Sequence, residues 1–180
     1  MKLVDFATLT PAQLGEAARI LREALARNQH GYGGPGEAEA EVAKVIGDPG
    51  RRGFAALDGD VLLGWIGAIE SYSHAWELHP LVVDPARQGR GVGRALTVAL
   101  EDAARTAGML TLHLGADDDY AGTNLHGVDL FPEVLARARG AVSVDGHPLG
   151  FYQRLGFEVV GLIPDANGFG KPDILMAKRL

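Results

Sequence analysis

Cysteine is absent from the 180 residues, so the chain holds no disulfide, no thiolate nucleophile and no thiolate-ligated zinc. Long apolar runs are absent too, with nothing near the roughly 18 consecutive residues that a membrane helix requires. The opening MKLVDFATLT has no signal-peptide core. A cytoplasmic protein with no membrane partner is expected. Positive charge is scarce: 17 Lys and Arg against 23 Asp and Glu leave a net charge of -6. That balance argues against a nucleic-acid surface and favours cationic partners. Neither an internal repeat nor an interdomain linker is found, so residues 1–180 read as one domain able to bury a real core.

What is present has the patterning of an ordinary globular chain, 47% hydrophobic and 22% charged. Residues 1–6 suit a short strand. Thr10-Pro11-Ala12-Gln13 is a helix start, with a capping threonine, proline at the first helical position and glutamine three residues past the cap. HGYGGPG (30–36) breaks that helix and is expected to be mobile, and GEAEAEVAKVIG forms a second helix. GFAAL and VLLGWIGAI flank Asp58-Gly59-Asp60, a hairpin signal, and AWELHPLVV is a third strand. An amphipathic helix over 91–108 precedes strand MLTLHLG and an acidic loop. A helix around 129–139, a short helix near GFYQRLGF, and strands FEVVGLI and ILMAKRL complete the order. The early meander is antiparallel and the crossover over 76–114 implies a parallel pair. The expected fold is therefore mixed α+β: a mostly antiparallel twisted sheet with a central parallel pair and helices on both faces.

One stretch concentrates chemistry. HPLVVDPARQGRGVGR (79–94) passes from a strand into glycines at every second position, with arginines among them, just before a helix. Gly89, Gly91 and Gly93 let backbone N–H groups approach a ligand, and the first amides of a helix lack intrahelical partners. A pyrophosphate suits that cradle, with Arg87, Arg90 and Arg94 adding charge-assisted contacts. Without a Gly-Lys-Ser/Thr ending it is not a Walker loop, and G-x-G-x-G spacing is not the dinucleotide fingerprint.

Gln88-Gly89-Arg90-Gly91-Val92-Gly93, in that setting, resembles the acyl-coenzyme A loop of the GNAT acetyltransferase superfamily. The later Gly150-Phe151-Tyr152-Gln153-Arg154-Leu155-Gly156-Phe157 resembles that superfamily's F-Y-x-x-x-G-F element. Trp76–Val83, Leu114–Asp118 and Pro164–Ile174 resemble the aminoglycoside 6′-N-acetyltransferases within it, from about residue 60 onward. In 22–50 the chain departs from that family: ARNQHGYGGPG stands where a tryptophan-proline element often walls the substrate site. The resemblance implies a GNAT-like domain binding acetyl-coenzyme A. The amides and arginines of Gln88, Gly89, Arg90, Gly91, Val92, Gly93 and Arg94 would hold the diphosphate, and the backbone of Leu81, Val82 and Val83 the pantetheine arm. It also implies a homodimer.

An alkylammonium cannot attack a thioester until it loses a proton, so the reaction needs a base. Glu77 and His79 lie two apart on a strand, hence on one face. Glu77 is read as the base, with His79 orienting water or substrate; a strand acid paired with arginine and a carbonyl-bonded histidine are the bland alternatives. A backbone N–H near Val83 could stabilise the oxyanion. By resemblance, Tyr152 protonates the leaving thiolate. Asp117 and Asp118 are read as a patch for a cationic substrate such as an aminoglycoside, with Asp117 an alternative base and Asp119 left open. His30, His74, His79, His113, His126 and His147 are scattered, and no metal is expected. Acetylation of a polyamine or protein amino terminus, and non-catalytic binding of acetyl-coenzyme A or a drug, stand as the competing readings.

Overall fold

The computed structural model describes residues 1–29 and 31–180; His30 lies outside the described residues. Packing divides the chain into two compact units, residues 1–26, 31–112 and 180, and residues 27–29 with 113–179.

The first unit is built on four antiparallel strands, β1 (Lys2–Asp5), β2 (Arg51–Asp58), β3 (Val61–Tyr72) and β4 (Ala75–Val83), neighbours in chain order. Helix α1 (Pro11–Ala24) begins at the expected capping box: the Gln13 N–H donates to Thr10 Oγ1, and Gln13 Oε1 accepts from the Thr10 N–H. Helix α2 (Glu37–Gly47) buries Ala38, Val42 and Val45, an i, i+4, i+7 stripe that packs into the same core as Ala17, Ile20 and Leu21 of α1. Trp65 of β3 is fully buried in that core, tilted on Phe6 at 4.9 Å between centroids, and its indole N–H donates to the Ala17 carbonyl at 3.0 Å. A buried indole needs such a partner, so this core ties α1 to the sheet by direction as well as by area. Helix α3 (Val92–Thr106) buries Val92, Leu96, Leu100 and Ala104, four residues apart on one face.

The pairing of β3 with β4 is interrupted. Ile66 of β3 stands opposite Leu81 of β4, and Ala68 opposite Leu78. His79 and Pro80 thus face the single residue Gly67, a two-against-one β-bulge. A side chain at Gly67 would run into the His79 carbonyl, which is why the position is bare.

The second unit holds most of β5 (Thr111–Asp117), α4 (Val134–Arg139), α5 (Pro148–Arg154) and the antiparallel pair β6 (Glu158–Ile163) and β7 (Asp173–Arg179). Leu114, Leu130, Leu149, Phe157, Ile174 and Met176 are buried in it. The helix expected around 129–139 starts only at Val134. Pro132 and the residue before it, Phe131, resist helical backbone, and that delays the start.

Candidate active site

In the first unit, β4 ends at Val83 and the chain turns through a short 3-10 segment, Pro85–Arg87. Asp84 fixes this turn twice. Its carboxylate accepts the Ala86 N–H at 2.9 Å and takes Arg19 of α1 at 2.8 Å, and the hydrogen bond from Arg19 holds its carboxyl below the usual range. The Gln88 side chain then reaches back to the Val83 carbonyl at 3.3 Å. Gly89 and Gly91 follow with φ of 73° and 81°, the left-handed region that only glycine enters freely.

Gly91 caps α3 and, having no side chain, offers the helix no capping acceptor. The Val92, Gly93 and Arg94 amides therefore keep the orphan donors of a helix start. Six arginines of the chain are committed to carboxylates: Arg19, Arg22, Arg27, Arg51, Arg52 and Arg105 form ion pairs. Arg90 and Arg94 are exposed and make no such contact among the described residues. Bare amides, an uncapped helix dipole and two uncommitted guanidiniums together fit a dianionic group, such as a diphosphate.

Upstream on β4, Glu77 is half-buried opposite Ile69, and its carboxylate makes no hydrogen bond or ion pair among the described residues. The arginine partner of the bland alternative is not found there. His79 is occupied on one side: its Nε2 lies 2.9 Å from the Tyr32 hydroxyl and 3.7 Å from Glu41 Oε1. Glu41 is 3% exposed, pinned by Arg51 and by Lys44 at 3.2 Å. Burial works to raise its carboxyl, but the hydrogen bonds from Arg51 and Lys44 outweigh that and hold it below its ordinary value. The imidazole thus lies beside this α2 carboxylate from a position within the bulge at 79–80.

In the second unit, Tyr152 of α5 is 7% exposed, edge-on to Phe151 and Phe157 with centroids at 5.1 and 5.4 Å. Burial raises its phenol well above the ordinary value, and its hydroxyl finds no hydrogen-bond partner among the described residues. The proton is thus retained and uncommitted. At the end of β5, the Asp117 Oδ1 accepts from Asn167 at 2.5 Å, and its carbonyl takes the His147 Nε2–H at 3.0 Å. The Leu149 N–H donates to His147 Nδ1, which fixes this tautomer, and burial lowers the histidine's pKa. Asp118 turns inward instead.

The sequence matches the pattern of the Acetyltransferase (GNAT) family over residues 19–126. The chain is a GNAT acetyltransferase. It is similar to an aminoglycoside 6′-N-acetyltransferase solved in complex with coenzyme A, at 37% identity, with a TM-score of 0.90 over 99% of this chain and 97% of that one. The aminoglycoside 6′-N-acetyltransferase from Enterococcus faecium is 35% identical, with a TM-score of 0.88 over 99% and 97%. A curated relative, the N-alpha-acetyltransferase RimI of Mycobacterium tuberculosis, is 35% identical over 85 residues. That match takes in 46% of this chain and 53% of the relative, so the chain spans about half the length of the curated relative it matches. The α+β GNAT fold expected from the sequence is borne out, with seven mostly antiparallel strands.

One expectation about this acetyltransferase's site is revised by position. Asp118 is 0% exposed, and its carboxylate is consumed by the Gly122 and Thr123 N–H groups and the Thr123 hydroxyl at 2.7, 3.0 and 2.6 Å. It shapes the acidic loop and leaves no lone pair facing a substrate, so the expected patch reduces to Asp117. Asp118→Asn would set an amide against those donors and is expected to lower unfolding free energy by about 2–3 kcal/mol, measured by urea denaturation. In the glycine-rich segment Tyr32 meets His79, and the Gly34 N–H donates to Glu37 at 2.8 Å. Tyr32, Glu41 and Arg51 are the residues that sequence reading missed. A lone tyrosine among glycines is the one signal that marked any of them.

Of the scattered histidines, His126 lies beside Asp118, and His74 bonds its neighbour Ser73. Among the described residues, no group of three histidine or acidic side chains is placed to hold a metal ion.

Proposed function

We propose that this chain transfers an acetyl group from acetyl-coenzyme A to the 6′-amino group of an aminoglycoside. The observation that carries the reading is local to β4: an uncommitted carboxylate, Glu77, on the strand that runs directly into an uncapped, glycine-bared anion cradle. Support for the substrate comes from relatives bearing that name at 35% and 37% identity over nearly the whole chain. The overall acidity of the protein suits a polycation.

Acetyl-coenzyme A, when bound, supplies an activated acetyl thioester. The amides and arginines of 88–94 grip its diphosphate, and the backbone of Leu81, Val82 and Val83 lines up the pantetheine arm. Glu77 takes the ammonium proton, directly or through a water that His79 orients, and leaves a lone pair free to attack. The carbon–nitrogen bond forms as the carbon–sulfur bond breaks. An N–H near Val83 meets the negative charge on the carbonyl oxygen. Tyr152 gives its proton to the departing sulfur, the acylated nitrogen sheds its remaining extra proton to water, and solvent returns a proton to the Tyr152 phenolate. Asp117 holds a second ammonium of the substrate. The same reading places the enzyme in the cytoplasm as a homodimer; exposed Val160 and Ile163 of β6 offer apolar surface for a second copy.

A second reading, acetylation of a protein amino terminus, is favoured by the match to RimI. Thiol release over a panel of amines separates the two. A kanamycin-type 6′-amine should react and its 6′-hydroxyl analogue should not. Release with peptide amino termini alone would replace the first reading by the second.

A further inference from the structure

We propose that Tyr32 is a positioning residue: its phenol holds the His79 imidazole by Nε2, so that Nδ1 alone faces the water or amine handled beside Glu77. The inference rests on the acetyltransferase reading of Glu77 and His79.

Tyr32 sits in the segment where the chain departs from its resemblance to the aminoglycoside 6′-N-acetyltransferases, 47 residues upstream of the histidine it touches. Its backbone is left-handed, with φ of 60°, which a non-glycine residue keeps only where its surroundings over-determine it. Two contacts do so here. The ring packs against the core shared by α1 and α2, and the hydroxyl lies 2.9 Å from His79 Nε2.

The same nitrogen has a carboxylate nearby. Glu41 Oε1 stands 3.7 Å away and is itself fixed by Arg51 and Lys44. Burial and then the nearby Glu41 charge push the Tyr32 phenol up to about 12, so it remains a neutral hydrogen-bonding group wherever the enzyme works. Nδ1, by contrast, makes no hydrogen bond among the described residues, while the side chain is 39% exposed. An imidazole held at one nitrogen and open at the other has its orientation set by the held side, as in buried histidine relays.

The test is a double-mutant cycle on thiol release with Tyr32→Phe, His79→Ala and the pair. Tyr32→Phe deletes one oxygen and keeps the ring that packs in the core. On its own it should lower kcat by about tenfold, a plausible loss for misplacing a group near the reacting atoms, and leave the KM for acetyl-coenzyme A unchanged. In the His79→Ala background it should change kcat by less than about twofold, because its target is gone. Multiplication of the two single effects, or an unchanged kcat for Tyr32→Phe alone, would overturn the proposal.

A readout independent of turnover is the ¹⁵N spectrum of the His79 ring in the free protein. Tyr32→Phe is expected to displace the Nε2 resonance and to leave His74 untouched; an unchanged His79 spectrum overturns the proposal. Wild-type protein that releases no thiol with any amine would refute the acetyltransferase reading instead, and the ring spectrum would still decide the role of Tyr32.

Discussion

Glu77→Gln is expected to lower kcat for amine acetylation by about 10²–10⁴-fold, the usual contribution of a positioned general base. The argument runs through what Glu77 does not touch. Its carboxylate engages no arginine or backbone amide among the described residues, so replacing it by an isosteric amide removes no contact of the fold. Stability should therefore stay within about 0.5 kcal/mol of wild type, as for substitutions that break no buried feature. Binding of acetyl-coenzyme A should be unchanged, because the glycine turn lies beyond the end of the strand. A glutamine amide cannot accept the ammonium proton, so the loss should fall on kcat alone. Steady-state kinetics with calorimetric control of coenzyme binding checks this. Undiminished turnover would move the base elsewhere, with Asp117 the next acid to try.

Gly91→Val should weaken acetyl-coenzyme A binding by about 10–100-fold, that is, about 1.4–2.8 kcal/mol. No atom lies within 4 Å of where a Cβ would stand, so the damage is conformational rather than a clash. At φ of 81° a β-branched residue is strongly disfavoured, by about 1–2 kcal/mol or more, and the turn relaxes by rotating out of the left-handed region. Rotation at the cap swings the Val92, Gly93 and Arg94 amides off their common target. Gly59→Val is the matched control. Gly59 also has positive φ, 60°, and open space around it, but it lies in the β2–β3 hairpin. It should cost comparable stability and leave coenzyme affinity intact. Equal affinities for the two variants would mean that the turn does not hold the ligand.

Local rules carried much of this architecture from the sequence. The Thr10–Gln13 capping box, the 75–83 strand and the helix opening after Gly91 depend on residues within a few positions of one another, and all three stand where the pattern puts them. The failures share a cause: each depends on a partner distant in sequence. The bulge at His79-Pro80 exists because Gly67, on another strand, admits the His79 carbonyl, so alternation along β4 alone cannot reveal it. Asp117 and Asp118 look equivalent as neighbouring acids. Only the fold of Gly122 and Thr123 back over the strand end makes one buried and leaves the other at the surface. Glu41 reads as one more acid on a solvated helix face until Arg51, Lys44 and His79 converge on it.

The most direct measurement is a pair of calorimetric titrations, acetyl-coenzyme A against acetyl-pantetheine, which keeps the thioester and lacks the diphosphate. Acetyl-coenzyme A should bind with a dissociation constant between about 1 μM and 1 mM, the range of ordinary enzyme–substrate affinities. Acetyl-pantetheine should bind at least about a hundredfold more weakly, and added salt should narrow the gap by screening the exposed arginines. Equal affinity for the two ligands, or no heat from acetyl-coenzyme A at millimolar concentration, would contradict a diphosphate site at Gly89–Arg94.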